Sequence, residues 1–338
     1  MDRDRTATPP RAACLGGGNG VGVVARGLID RGVIAAALVA TSDNGRSTGL
    51  VRRLFDIPAP GDVRNVLSAF AGDPALRDLF EYRLTTPEIP ALTGAAFGNL
   101  ILGVLSKTSG SFEEAVAIAA RLLDVRIEVR PLTVANVALC AELEDGRHVR
   151  GEVEVRAPGK APIRRVYLDP PGPAATPALD LLAGADLITI GPGSLFTSVL
   201  ACLAVDGVPA ALTASSALRV YVANTTTQPG QSDDLPLTAQ IEHVLAAASD
   251  AIDVVLIDAS QPDPALLERH QSAGRQRLRL SGPEREWCQS RGLRIVEADL
   301  AESAAAPRDL WQKEDAIRHD AAKLGAVLLE LLATREAR

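Results

Sequence analysis

A run of glycines near the start of the chain is the feature best suited to binding an anion. It reads Gly16-Gly17-Gly18-Asn19-Gly20-Val21-Gly22, after an apolar segment and before a stretch with helical periodicity. Glycine lets backbone N–H groups approach an anion closely, and the N-terminus of the following helix adds partial positive charge. The sequence therefore predicts a phosphate or pyrophosphate site at Gly17, Gly18 and Asn19. A tight turn without a ligand is the plainer alternative.

The identity of the nucleotide is not fixed by this run. A Walker A loop is excluded because no Gly-Lys-Ser/Thr follows. Gly20-x-Gly22-x-x-Ala25 fits a loosened dinucleotide fingerprint, and Asp43, near the end of the second predicted strand, could accept from a ribose hydroxyl. A nicotinamide dehydrogenase is therefore one alternative, although no acid or base for hydride transfer can be identified.

Two polar segments follow the second predicted strand, at 41–49 and 60–65. Their Asp43 and Asp62 could hold a divalent cation that bridges diphosphate oxygens, the usual arrangement of magnesium with phosphates. Asp62 could instead cap the helix predicted at 62–70, and spacing alone favours capping. The role of Asp43 stays open, and it is the one candidate catalytic residue.

Two later loops repeat the pattern of a strand that ends in small polar residues. One contains Gly193 and Ser194, and the other contains Asn224 and Gln228. Open α/β sheets bind ligands at the carboxyl edge of their strands. We therefore expect both loops to contact the same ligand as the glycine run, although each could be a plain structural turn.

The alternation of apolar strands with helix-like stretches predicts an α/β fold. We expect a Rossmann-like, mostly parallel sheet with helices on both faces. The periodicity changes to alternating residues after 126, and Asp145-Gly146 is typical of a hairpin turn, so 126–169 is predicted to be a β-rich insertion. We expect a flexible tail at 1–10 and one nucleotide-binding domain over 11–335.

Composition excludes several classes of protein. The net charge of −7 and the 3% aromatic content argue against a nucleic-acid partner. No apolar run is long enough to span a membrane, and the first nine residues lack the apolar core of a secretory signal, so a cytoplasmic protein is expected. The four dispersed cysteines indicate neither a disulfide framework nor a zinc site.

Taken together, these segments resemble the family of the bacterial gluconeogenesis factor YvcK, which is related to the 2-phospho-L-lactate transferase CofD. The similarity runs over nearly the whole chain, and the string Pro60-Gly61-Asp62-Val63-Arg64-Asn65 is closer to the YvcK branch. The matching pieces are Gly16 to Gly20, 41–49, 60–65, Phe97-Gly98-Asn99-Leu100, 191–198, 224–230 and Arg318-His319-Asp320.

The resemblance implies a CofD-like fold and binding of a UDP-sugar such as UDP-N-acetylglucosamine or UDP-glucose. It implies a role in carbon partition, cell-wall precursor supply and cell shape, with protein partners in cell-wall synthesis and no required cofactor. Fold-level analogy suggests a homodimer. By the same resemblance, the glycine run would touch the nucleotide phosphates, Asn65, Asn99 and Ser194 would line the cleft, and Arg318 would pair with the ligand.

Several positions depart from the family pattern. The acidic loop usually reads Asp-Asp-Gly-Gly-Ser-Ser-Gly, whereas 42–49 here has one acid fewer and an added Arg46. A Gly-His ahead of Phe-Gly-Asn is replaced by Gly94-Ala95-Ala96, and a tyrosine associated with base stacking corresponds to His270.

The alternative function is a CofD-like transferase that uses a nucleotide and Mg²⁺, with Asp43 holding the metal or positioning the attacking oxygen.

Overall fold

A seven-stranded parallel sheet forms the centre of the molecule. The computed structural model describes residues 8–302 and 317–336, so most of the expected tail at 1–10 lies outside the described residues. The sheet contains β1 (Arg11–Gly16), β2 (Ile34–Val39), β3 (Glu128–Pro131), β7 (Leu187–Ile190), β8 (Leu218–Val222), β9 (Val254–Asp258) and β10 (Arg294–Ala298). Their order is β10-β9-β8-β7-β1-β2-β3, and every neighbouring pair is parallel.

Helices connect these strands. They are α1 (Gly18–Ile29), α2 (Arg46–Phe55), α3 (Gly61–Ala69), α4 (Pro74–Glu81), α5 (Phe97–Ser109), α6 (Phe112–Leu122), α7 (Glu152–Arg156), α8 (Thr176–Ala183), α9 (Leu200–Leu203), α10 (Val208–Ala214), α11 (Leu237–Ala247), α12 (Pro264–Ser272), α13 (Gly282–Ser290) and α14 (Ala321–Glu336). A 3-10 turn spans Pro90–Leu92, and a π-helical turn spans Leu195–Val199. No helix among the described residues is long and apolar enough to span a bilayer.

The two faces of the sheet are covered by two separate hydrophobic clusters. Alternate residues of a strand point to opposite faces, so in β1 Ala13 and Leu15 join one cluster while Ala12 and Cys14 join the other. The four cysteines are free and buried. The predicted α/β sheet with helices on both faces is confirmed.

A small antiparallel sheet is inserted between β3 and α8. It consists of β4 (Ala138–Leu143), β5 (His148–Arg150) and β6 (Ile163–Asp169), in the order β5-β4-β6. The predicted start of this insertion at 126 is wrong, because β3 pairs in parallel with β2 and belongs to the main sheet. The predicted turn at Asp145-Gly146 joins β4 to β5, and Gly146 has a φ of 83°.

The strand order places a crevice beside β1. The chain leaves β1 towards β2 and β3 on one side, and later returns to add β7 on the other side. The connections that follow β1 and β7 therefore lead to opposite sides of this point in the sheet, which opens a crevice at its carboxyl edge. Both glycine loops, the run after β1 and the loop with Gly193 after β7, lie at this crevice.

Candidate functional site

A cleft of about 1090 Å³ opens at this edge. Its walls come from the loop after β1, the 43–48 segment, the first turn of α3, the hairpin before α5, the insertion helix α7 and the loop after β7. The sequence-predicted residues that line it are Gly17, Gly18, Asn19, Asp43, Asp62, Asn65, Asn99, Gly193, Ser194 and Gln228. The fold thus brings most of the predicted site together.

The glycine run forms the N-terminus of α1, with Gly17 as the extended residue before the first turn. The first amide groups of a helix have no partner within it, and here they border the cleft. Glycine is required by close contacts: a Cβ at Gly20 would lie 1.9 Å from the Pro192 carbonyl oxygen, and one at Gly17 would lie 2.5 Å from Ser198 Oγ. The two glycine loops therefore touch.

Asn224 holds the second glycine loop in place. Its side-chain amide donates to the Gly193 carbonyl at 2.6 Å, and its oxygen accepts from the Gly193 N–H at 3.1 Å. Ser194 Oγ donates to Gln231 Oε1 at 2.5 Å. Asn224 does not itself line the cleft, so its place in the structure is behind the loop.

Three carboxyl groups line the cleft next to the first glycine loop. A Cβ at Gly17 would lie 2.8 Å from an Asp62 oxygen, and one at Gly61 would lie 3.3 Å from an Asp43 oxygen. Burial and the nearby Asp43 raise the pKa of Asp62 to about 6. Burial, then the Asp43 carboxylate, raise the pKa of Glu152 on α7 to about 9. Burial and the neighbouring Asp43 carboxylate therefore disfavour the ionised forms of Asp62 and Glu152.

The predicted capping role of Asp62 is wrong. Pro60 is the N-cap of α3, and Asp62 lies in the first turn. Its carboxylate accepts a hydrogen bond from the backbone N–H of Gly18, which opposes the rise in its pKa. Asp62 therefore links the start of α3 to the start of α1.

A buried polar network forms the far wall of the cleft. Arg64 is 3% exposed and forms an ion pair with Glu81 at the end of α4. Its Nε donates to Asn99 Oδ1 at 3.1 Å, and the Asn99 amide donates to Ser47 Oγ at 3.3 Å. The network fixes Asn99 against the 41–49 segment, and Arg64 also donates to Asn65.

Two predicted residues lie elsewhere in the described structure. His270 is buried in α12, which follows β9, two strands away from β7. Arg318 lies beside Glu302, whose N–H donates to its carbonyl. Neither residue lines the cleft.

Several lining residues were not singled out from the sequence. Arg64 belongs to the 60–65 string, and a charged residue beside an apolar helix face is the local signal that marks it. Glu152, Val153 and Arg156 belong to the insertion, and no local pattern connects them to the glycine run. Only the fold brings them to the cleft.

Comparisons with known proteins agree with this architecture. The family model described as 2-phospho-L-lactate transferase CofD matches residues 13–301. The gluconeogenesis factor of Bacillus subtilis (strain 168) is 35% identical over 329 residues, covering 96% of this chain and 98% of that protein. The putative gluconeogenesis factor of Aquifex aeolicus is 33% identical over 327 residues, covering 94% of this chain and 95% of that protein.

A solved structure shows the same fold. The crystal structure of a member of the upf0052 family from Bacillus halodurans matches with a TM-score of 0.86 and 30% sequence identity. The match covers 96% of this chain and all of that chain (100%). The likeness therefore extends over the inserted sheet as well as the parallel one.

Proposed function

This chain belongs to the CofD family, and from that premise we propose that it is a gluconeogenesis factor of the YvcK type that binds a nucleotide diphospho-sugar. UDP-N-acetylglucosamine and UDP-glucose are the proposed ligands. In this proposal, ligand occupancy regulates carbon partition, cell-wall precursor supply and cell shape, and the protein acts in the cytoplasm.

The pair of glycine loops at the topological switch point carries the proposal. The loop at 17–20 and the loop at 193–194 touch each other and face one cleft. A helix N-terminus next to closely approachable backbone amides favours a diphosphate. At about 1090 Å³, the cleft lies just above the usual range of about 300–1,000 Å³ for ligand pockets, so it has room for a nucleotide with an attached sugar.

The carboxyl groups beside the first glycine loop bear on metal dependence. An anionic diphosphate placed near Asp43 and Asp62 would be repelled unless a cation or a proton intervened. Among the described residues, no three His, Cys, Asp or Glu side chains are grouped so that together they could hold a metal ion, but magnesium with phosphates usually takes only one or two carboxylates. Asp43 and Asp62 fit that mode, and Mg²⁺ would there neutralise charge on the diphosphate.

A regulatory role requires a ligand that binds one conformation or assembly better than another. The proposed readouts are a change in affinity for a protein partner in cell-wall synthesis, or a change in a homodimer equilibrium. Both are open to direct measurement by sedimentation or light scattering with and without ligand.

The first test is a thermal-shift and calorimetric screen of the purified protein. The panel is UDP-N-acetylglucosamine, UDP-glucose, GDP, GTP and NAD, each with and without Mg²⁺. A ligand that binds only the native state adds about 2.7 kcal/mol of stability at a hundredfold excess over its Kd, so a genuine site is visible. Saturating UDP-N-acetylglucosamine that leaves thermal stability, oligomeric state and proteolysis unchanged would contradict the proposal.

A second function is favoured by the position of Asp43 and Asp62 beside the glycine loop. The two carboxylates could hold Mg²⁺ for a CofD-like transferase that joins a phosphorylated hydroxy acid to the α-phosphorus of a nucleoside triphosphate, with pyrophosphate as the leaving group. Asp43→Asn should then abolish turnover. The variant should still fold, because the Asn side chain keeps an oxygen that can accept from the Gly45 N–H, which donates to Asp43 at 2.6 Å in the wild type. A Mg²⁺-dependent guanine-nucleotide response in the screen would place this function first, and turnover retained by Asp43→Asn would count against it.

A further inference from the structure

The insertion contributes one wall of the cleft through its short helix α7. Glu152, Val153 and Arg156 line the cleft from this helix. They face the parallel-sheet loops although they belong to the chain segment between β5 and β6. The wall is therefore supplied by an element outside the doubly wound sheet.

Contacts at both ends fix α7 in this position. The Val153 N–H donates to Asn44 Oδ1 at 3.3 Å, which joins the start of α7 to the loop after β2. At the other end, a Cβ at Gly230 would lie 2.2 Å from the Arg156 carbonyl oxygen. Lys160 Nζ donates to the Ala157 carbonyl at 2.7 Å and also to the Gly230 carbonyl. The helix is held between two loops of the site.

Three carboxyl groups lie one after another between the first glycine loop and α7. Asp62 lies against Gly17, Asp43 lies against Gly61, and Glu152 lies beside Asp43. Beyond them, Arg156 Nη1 lies 3.2 Å from Glu152 Oε1. The Glu152 side chain is 15% exposed and the Arg156 side chain is 48% exposed, so the guanidinium has donors free to meet a ligand.

We propose that the pair Glu152 and Arg156 forms the subsite for the sugar of the bound nucleotide diphospho-sugar. This inference rests on the proposed function and adds the residues that distinguish a glycosylated from an unglycosylated nucleotide. A diphosphate on the two glycine loops leaves the α7 side of the cleft for the attached group. There a carboxyl group accepts from sugar hydroxyls and a planar guanidinium donates to hydroxyl or acetamido oxygens.

The test is calorimetric titration of UDP-N-acetylglucosamine and of UDP into the wild type, Arg156→Ala and Glu152→Ala, because alanine removes the hydrogen-bonding group of each side chain. Arg164→Ala is the matched control, because Arg164 lies on β6 of the same insertion, pairs with Glu142 and is 70% exposed. Loss of one such hydrogen bond to the sugar corresponds to about tenfold in affinity. We expect both cleft variants to lose about that factor for the UDP-sugar while their affinity for UDP stays the same.

The outcomes separate this inference from the function on which it rests. Equal weakening of UDP and UDP-sugar by Arg156→Ala would overturn the subsite, since the residue would then act on the nucleotide. Unchanged affinity for both ligands, or a wild type that binds UDP as tightly as the UDP-sugar, would overturn the subsite and leave the nucleotide site standing. A wild type that binds neither ligand would overturn the proposed function and the subsite together.

Discussion

Replacing Gly20 with alanine tests whether the contact between the two glycine loops holds the site together. A Cβ at this position would lie 1.9 Å from the Pro192 carbonyl oxygen and 2.8 Å from its carbonyl carbon. Real Cβ contacts essentially never fall below 3.0 Å, so the backbone of one loop must move by about 1 Å. Both Pro192 atoms belong to the main chain, so the contact cannot be relieved by a change of side-chain rotamer.

The same helix provides a matched control at Gly22. A Cβ there would lie 3.9 Å from the Ala69 Cβ, an ordinary van der Waals contact. Alanine in place of glycine within a helix adds about 0.5–1 kcal/mol of stability. Forced overpacking costs about 1–3 kcal/mol and sometimes more. We therefore expect Gly20→Ala to lower the free energy of unfolding by about 1–3 kcal/mol and Gly22→Ala to raise it slightly.

Urea denaturation of the three proteins, followed by circular dichroism, measures the difference. Titration with the ligand found in the screen then reports the geometry of the site, because displacement of either loop should weaken diphosphate binding in Gly20→Ala alone. Equal stability of the two variants, or a Gly20→Ala protein as stable as the wild type, would refute the argument that this contact is obligatory.

Two further predictions concern charged groups of the cleft. Glu81→Ala leaves the buried Arg64 charge unpaired and should lower the free energy of unfolding by about 3–5 kcal/mol. As a control, Glu114→Ala removes one partner of an exposed ion pair and should lower it by about 0–1 kcal/mol. Similar losses for the two variants in urea denaturation would contradict this contrast. The pKa of Asp62 is raised to about 6, so the folded protein binds a proton at Asp62 more tightly than the unfolded chain does. The stabilisation that comes from this bound proton is lost as pH rises from about 4 to 6. Asp62→Asn should therefore have a higher Tm than the wild type at pH 7, with a gap that closes towards pH 4; a gap independent of pH would refute the assignment.

The sequence alone was enough for the class of fold and for the two glycine loops. Short apolar runs separated by helical periodicity leave few arrangements other than a doubly wound parallel sheet. Glycine clusters after such runs indicate backbone conformations or contacts that side chains would prevent, as the surroundings of Gly17 and Gly20 show. These are local properties, and local properties can be read from residue types and their spacing.

The tertiary structure decided which distant residues share the cleft. The sequence suggested a helix cap for Asp62 because its nearest neighbours are helical, whereas the fold turns its carboxylate towards Gly18. The segment 128–131 has the same alternation of residue types as the insertion that follows it. It nevertheless pairs with the edge of β2 and so belongs to the parallel sheet. Glu152 and Arg156 reach the site only because the insertion packs between the loops that contain Asn44 and Gly230. Such contacts join residues far apart in the chain, and their energies depend on the packed geometry, which no local pattern encodes.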